Sequence, residues 1–146
     1  MRPAPDWPCG YPYNGRMRFE LTPVATVEST LTDPASAPKQ GDEGAPDAWL
    51  DFEEGVVAAL EGLAVGDRVI LLTWLDRADR SILRVHPRDD PANPMRGVFD
   101  TRSQDRPNPI GLHEVEILEI DGPRMRVEPL EAVDGTPIVD VKPVLR

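Results

Sequence analysis

Short runs in which apolar and polar residues alternate are the clearest pattern in this chain. Residues 113–120 (HEVEILEI) alternate almost strictly, and residues 124–128 (RMRVE) follow after Asp121-Gly122. Because successive side chains of a β-strand point to opposite faces, this pattern predicts two strands joined by a hairpin turn. Residues 68–75 (RVILLTWL) are almost continuously apolar, which is typical of a strand buried on both faces.

Four shorter segments complete the predicted strands. Residues 24–28 and 96–101 show short β patterns, and residues 81–86 (SILRVH) alternate and are expected to pair with the strand at residues 68–75. Residues 136–141 are expected to form a short edge strand.

Residues 51–60 carry the best helical pattern, and we expect the main helix near residues 51–61. Asp51 and Glu54 resemble a capping pair, and Gly62 can end the helix in a left-handed conformation. The apolar residues that share one face of this helix are Phe52, Val56, Ala59, Leu60 and Leu63.

The element pattern predicts a mainly β fold, either a small β-barrel or a highly curved sheet. No G-x-G-x-x-G motif occurs and no strand–helix alternation is visible, so a Rossmann fold is excluded. Residues 1–17 are predicted to be a flexible N-terminal extension, and residues 18–146 one barrel domain. Residues 31–47 are predicted to be a long loop, and loops of that length are usually functional or disordered.

Charge limits the partners that the chain can have. Its 146 residues carry a formal net charge of −10, which argues against a general nucleic-acid binder because phosphate contacts need a basic surface. Residues 20–67 hold eleven acidic residues and one basic residue, whereas residues 77–106 hold seven arginines and five aspartates. The second region is either a set of Arg–Asp pairs or a surface that faces an anion.

The chain shows no sign of a membrane or disulfide context. No apolar run reaches the roughly 18–20 residues that a membrane span needs, and the first residues lack the apolar centre of a secretory signal. A cytoplasmic location without membrane association is therefore expected. The single cysteine, Cys9, excludes an internal disulfide, and with only two histidines present no metal site is expected.

Residues 96–112 (RGVFDTRSQDRPNPIGL) form the densest unusual segment. Arg102 and Arg106 lie four residues apart around Ser103, and two prolines stiffen the chain on either side of Asn108. A rigid loop with two guanidinium groups, a hydroxyl and an amide suits recognition of a carboxylate or phosphate. The alternative is a stiff loop whose arginines pair with neighbouring aspartates, namely Asp100 and Asp105.

Two blocks of this sequence resemble the signature blocks of the TsaA-like family. The family's usual forms are about GVFATRSPxRPNPIGL and LDGTPVLDIKPY, which read here as GVFDTRSQDRPNPIGL at residues 97–112 and VDGTPIVDVKPV at residues 133–144. The family includes the bacterial enzyme that methylates the exocyclic amine of N6-threonylcarbamoyladenosine in tRNA. The resemblance implies a β-barrel that binds S-adenosylmethionine (SAM) without a Rossmann fold, usually as a dimer with the cofactor near the interface.

The resemblance also implies which residues hold the ligands. The predicted cofactor-binding residues are Lys39, Gln40, Asp76, Arg77, Arg102, Leu112, Leu130, Glu131, Ala132 and Val133. The predicted substrate-binding residues are Ser103, Arg106, Asn108 and Lys142. Lys142 either steers an acidic group or only pairs with Asp140, two residues away on the same side of a strand.

A methyl acceptor that holds its proton tightly would benefit from a base. The sequence offers three candidates, Asp76, His86 and His113. His86 is interpreted as a plain loop histidine, whereas His113 opens an alternating strand directly after the signature and is preferred. Asp76 stands where the family commonly has histidine, and it is kept as the second catalytic candidate. The alternative interpretation of His113 is an exposed strand residue.

The leading prediction is therefore a SAM-dependent N-methyltransferase that acts on N6-threonylcarbamoyladenosine of tRNA. The tRNA enzymes commonly carry a further C-terminal region, whereas this sequence ends at Arg146. That difference and the acidic charge weaken tRNA as the acceptor and leave a small metabolite as the alternative. A third hypothesis is a SAM-binding module without turnover, which Asp76 in place of histidine favours.

Overall fold

A computed structural model describes residues 19–35 and 37–145, so Cys9 and the predicted extension at residues 1–17 lie outside the described residues. The strands are β1 (Ala25–Glu28), β2 (Ala48–Phe52), β3 (Arg68–Trp74), β4 (Arg84–Val85), β5 (Arg96–Gly97), β6 (Ile110–Asp121), β7 (Arg124–Glu128) and β8 (Pro137–Pro143). Six of them close into a barrel in the order β1-β2-β7-β6-β3-β8, and β4 pairs with β5 in a separate sheet. The mainly β prediction is confirmed, and the fold is not a Rossmann fold.

The chain divides into two compact units. Among the described residues, the first unit, which we call the barrel unit, spans residues 22–74 (without residue 36) and 111–145, and the second, the loop unit, spans residues 19–21 and 75–110. The barrel unit holds β1–β3 and β7–β8 together with almost all of β6, and the loop unit holds β4 and β5. The prediction of one domain over residues 18–146 stays a prediction.

Alternation along each barrel strand places one face in the interior. In β3, Val69, Leu71 and Thr73 are buried, whereas the residues between them are half-buried. The prediction that this run is buried on both faces is therefore wrong, because the outer face of a barrel strand stays partly accessible. The core consists of Ala25, Val27, Ala48, Leu50, Phe52, Val69, Leu71, Val115, Ile117, Met125, Val127, Leu130, Ala132 and Ile138.

The predicted helix is shorter and tighter than its pattern indicated. Asp51 and Phe52 belong to β2, and a 3-10 helix occupies Glu54–Leu60. The predicted capping pair is wrong, because Glu53 is the N-cap residue and its side chain makes no capping hydrogen bond. Gly62 does adopt the left-handed conformation, with φ of 99°. No helix among the described residues combines the length and the apolar character that crossing a membrane requires.

The structure corrects two strand partners. The hairpin of β6 and β7 is confirmed, but β4 pairs with β5 and not with β3. The predicted edge strand is wrong as well, because β8 pairs with both β1 and β3. An alternating pattern defines the face that a strand buries and not its neighbours, and closing a barrel leaves no edge.

Candidate functional site

The interior of the barrel unit contains a hydrogen-bonded chain of three polar side chains. His113 Nε2 lies 2.7 Å from Oγ1 of Thr73, and His113 Nδ1 lies 2.5 Å from Oε1 of Glu131. Thr73 is fully buried and His113 is 6 % exposed. We call these three residues the polar chain. The interpretation of His113 as an exposed strand residue is wrong, because its position on β6 points inward.

The partners of His113 define the direction of its hydrogen bonds for a neutral imidazole. A carboxylate only accepts, so Nδ1–H donates to Glu131, and in the neutral ring the lone pair of Nε2 accepts the Thr73 hydroxyl proton. The order of groups is that of an acyl-transfer triad, but the buried Thr73 hydroxyl cannot reach a substrate. Both ring nitrogens of His113 are occupied, which does not support His113 as the group that takes a proton from the acceptor.

Two glycines leave room for the polar chain. A Cβ atom at Gly111 would overlap Oγ1 of Thr73 and would lie 2.7 Å from Nε2 of His113. A Cβ atom at Gly41 would lie 3.1 Å from Oε2 of Glu131. Gly111 ends the signature PNPIG, so the signature glycine is required here by close packing against side chains and not by a turn.

The long loop after β1 is fastened to the segment between β7 and β8. The N–H of Leu130 donates to the carbonyl of Pro46 over 3.0 Å, and the N–H of Asp134 donates to the carbonyl of Leu31 over 2.7 Å. Gly41 is the point at which this loop meets Glu131. The predicted cofactor residues Lys39 and Gln40 therefore directly precede the contact with residues 130–133.

The predicted cofactor residues 130–133, which lie between β7 and β8, differ in what they can offer a ligand. Leu130 is fully buried and Ala132 is 4 % exposed, so neither presents a side chain to a ligand. Val133 is half-buried, and its carbonyl accepts the hydroxyl proton of Thr136 over 2.7 Å. Leu112 is 45 % exposed on the outer face of β6.

In the loop unit, Arg106 is bound by the main chain of its own loop. Its guanidinium donates to the carbonyls of Ser103 over 2.7 Å, Val98 over 2.7 Å and Thr101 over 2.5 Å. Burial, followed by the positive charge of Arg102, lowers the pKa of Arg106. This arrangement favours a structural role for Arg106 over its predicted contact with substrate.

Arg102 differs from Arg106 in having no such partner. It is exposed, and it makes no hydrogen bond or ion pair with any other described residue. The predicted pairing of the two arginines with Asp100 and Asp105 is wrong. Asp100 pairs with Arg96 over 3.0 Å, and Asp105 accepts the N–H of Asp79 over 2.8 Å.

Arg80 holds the proline-flanked part of the loop. Its guanidinium donates to the carbonyl of Pro107 over 2.6 Å and to Oδ1 of Asn108 over 3.0 Å. Asn108 is exposed, and its amide nitrogen donates to no described residue, so it remains available as a donor. Nothing in the sequence pattern singled out Arg80. Thr73 had a signal, because it is the one uncharged polar residue in an apolar run.

The remaining predicted residues lie at the surface. Asp76 and Arg77 are exposed in the loop unit. Lys142 pairs with Asp140 over 3.1 Å, with 63 % of the lysine side chain exposed. His86 Nδ1–H donates to the carbonyl of Asn93 over 2.7 Å, as suits a loop histidine. The residues of the signature that are free to meet a ligand are thus fewer than the sequence suggested.

The fold and the polar chain define a small closed β-barrel domain outside the Rossmann class. The chain belongs to the family described as tRNA-methyltransferase O N-terminal domain, which matches residues 26–146. It is similar to a probable S-adenosyl-L-methionine-binding protein of Methanothermobacter thermautotrophicus, with 39 % identity over 87 % of this chain and 90 % of the relative. An S-adenosyl-L-methionine-binding protein of Archaeoglobus fulgidus is 41 % identical over 84 % of this chain and 86 % of the relative.

Solved structures agree with this membership. A crystal structure of TrmO from Pseudomonas aeruginosa superposes with a TM-score of 0.72 and 27 % identity, covering 91 % of this chain. The match spans 57 % of that TrmO chain. This chain therefore matches a little over half of the length of that relative.

Proposed function

We propose that this chain binds SAM and transfers its methyl group to the exocyclic nitrogen of N6-threonylcarbamoyladenosine in tRNA. The observation that carries the proposal is the family match over residues 26–146. Relatives named as S-adenosyl-L-methionine-binding proteins cover most of this chain at 39–41 % identity and support the cofactor. The name of the family supports tRNA as the acceptor, and the modified nucleoside follows from the resemblance of the signature blocks.

Methyl transfer from SAM depends mainly on the alignment of the methyl donor with the acceptor. SAM supplies a methyl group already activated by a positively charged sulfur, and holding donor and acceptor in line contributes up to about 7–11 kcal/mol. Arg102 has a free guanidinium fork that suits a carboxylate. Asn108, fixed by Arg80, offers its amide N–H to an acceptor oxygen. Arg106 stabilises the loop that carries Arg102 and Asn108.

A second candidate function is SAM binding without turnover. The curated relatives carry names that state binding and no reaction, and Asp76 is an exposed carboxylate without a hydrogen-bonded partner among the described residues. The net charge of −10 also favours a small acceptor over RNA if turnover occurs.

Two measurements test the proposal in sequence. Calorimetry should detect SAM binding, and Arg102→Ala should weaken it about tenfold, the effect of losing one charge-assisted contact. Transfer of radiolabelled methyl groups should then occur to tRNA that carries threonylcarbamoyladenosine and not to tRNA that lacks it. Absence of SAM binding would reject the cofactor. Binding without transfer to either tRNA would reject the acceptor and favour the second candidate.

A further inference from the structure

The polar chain has one end that a ligand can reach. Thr73 is fully buried, the His113 side chain is 5 % exposed, and the Glu131 side chain is 15 % exposed. Exposure therefore increases from the threonine to the carboxylate. Any group that interacts with the polar chain from outside meets Glu131, while the other two residues act only through it.

The Glu131 carboxylate is held in place but is not neutralised by a lysine or arginine. Its Oε1 accepts the hydrogen bond of His113, and its Oε2 lies on the side of Gly41, where it accepts no hydrogen bond from any described residue. The hydrogen bonds along the polar chain are all satisfied with a neutral imidazole. With a neutral imidazole, the arrangement thus presents one negative charge, fixed in direction, beside Gly41.

We propose that Glu131 binds a positively charged group of the methyl donor, and that His113 and Thr73 are positioning residues that hold its carboxylate. The inference rests on the proposed function, because SAM carries two such groups, a sulfonium and an ammonium. A carboxylate that is only 15 % exposed acts through a lower effective dielectric than a charge in water, which strengthens its attraction for a cation. A sulfonium has no N–H or O–H to donate, so charge is what recognises it.

The central experiment compares three ligands by calorimetry on the full chain and on Glu131→Gln. SAM has both cations, S-adenosylhomocysteine has the ammonium only, and methylthioadenosine has neither. Glutamine keeps the shape and still accepts from His113, so only the charge is removed. We expect the affinity for SAM to fall about tenfold, equivalent to about 1.4 kcal/mol, and the affinity for methylthioadenosine to stay unchanged.

The response of S-adenosylhomocysteine identifies the cation. If Glu131→Gln loses affinity for SAM alone, Glu131 binds the sulfonium. If it loses affinity equally for SAM and S-adenosylhomocysteine, Glu131 binds the ammonium. Equally weakened binding of all three ligands, or unchanged binding of all three, would overturn the proposal, because a purely structural effect does not depend on the charge of the ligand. Thermal unfolding of the variant checks that the barrel is intact.

Glu114 provides the matched control. It follows His113 on the same strand, but it lies on the outer face, pairs with Arg68 over 3.0 Å and has a half-exposed side chain. Glu114→Gln removes one negative charge from the chain without touching the polar chain. We expect the affinities for all three ligands to be unchanged, which separates a local effect of Glu131 from a change in net charge.

Thr73 tests the positioning role. Thr73→Val keeps the side-chain shape but removes the hydroxyl, so His113 loses the partner that fixes its ring. We expect a three- to tenfold loss for SAM, no loss for methylthioadenosine, and recovery in Thr73→Ser. A Thr73→Val protein that folds and binds SAM normally would remove Thr73 and the polar chain from the proposal.

Failure of the inference differs from failure of the proposed function. If the unmodified chain binds none of the three ligands, the proposed cofactor is rejected and the role of Glu131 with it. If the unmodified chain binds SAM and Glu131→Gln shows no charge-dependent change, only the role of Glu131 is rejected.

Discussion

The barrel unit and the loop unit are each stabilised by a different kind of interaction. The barrel unit buries a continuous apolar cluster, in which Leu50, Leu71 and Ile117 are fully buried. In the loop unit, β4 and β5 have only two residues each, and arginine side chains bind main-chain carbonyls. Phe99 is 80 % exposed there. Apolar burial tolerates changes of similar size and shape, whereas a guanidinium that bridges three carbonyls depends on residue identity.

The largest expected effect separates a buried apolar side chain of the barrel unit from an exposed one of the loop unit. Leu71→Ala should lower the free energy of unfolding by about 2–5 kcal/mol, because it opens a cavity in the barrel core. Phe99→Ala removes a larger side chain but should change stability by no more than about 0.5 kcal/mol, because that ring is already exposed. Chemical denaturation of both variants measures the difference. Similar losses for the two would contradict the contrast between the units.

The next effect concerns close packing around the polar chain. Gly111→Ala should destabilise the barrel by about 1–3 kcal/mol, because the added methyl group overlaps the Thr73 hydroxyl. Gly55→Ala is the control, since a Cβ atom there meets nothing within 4 Å. Thermal unfolding compares them. Full stability of Gly111→Ala would mean that the polar chain can shift without cost.

A smaller and more local effect is expected for the loop unit. Arg106→Lys replaces the guanidinium fork by a single ammonium, which cannot bind the three carbonyls at once. Global stability should fall by about 1 kcal/mol, and amide exchange should accelerate in residues 98–106. Arg102→Lys should leave amide exchange unchanged, because Arg102 has no such partners. Equal acceleration in both variants would show that Arg106 does not organise the loop.

The smallest effect is a pH response of one turn in the loop unit. The hydrogen bonds of the Ser81 hydroxyl and main-chain N–H lower the pKa of Asp79 below 3.8. Because the folded pKa is depressed, the contribution of this turn is complete above the unfolded value and is lost as pH falls through the folded value. An NMR titration should show the Asp79 carboxyl titrating at higher pH in Ser81→Ala. An unchanged titration would mean that Ser81 does not cause the shift.

The site was predictable where a motif placed polar residues side by side. The signature at residues 97–112 identified the loop with Arg102, and Arg102 is the arginine that stays free. The same signature gave no way to separate Arg102 from Arg106, because the carbonyls that bind Arg106 have no sequence pattern. His113 was predicted as a catalytic candidate, but its burial between Thr73 and Glu131 became visible only when three distant segments met.

The sequence by itself determined the class of fold and most of the strands, whereas β2 was not predicted. Alternation with a period of two follows directly from backbone geometry, so it defined β6 and β7. The continuous apolar run of β3 did not show which of its faces is the interior one. Tertiary structure decided the partners. Residues 51–63 have helical spacing, but Phe52 pairs with Ala25 in the sheet and is not helical. Strand β8 has two neighbours because the barrel is closed. These outcomes depend on contacts between residues far apart in the chain, and the local pattern of apolar and polar residues does not encode them.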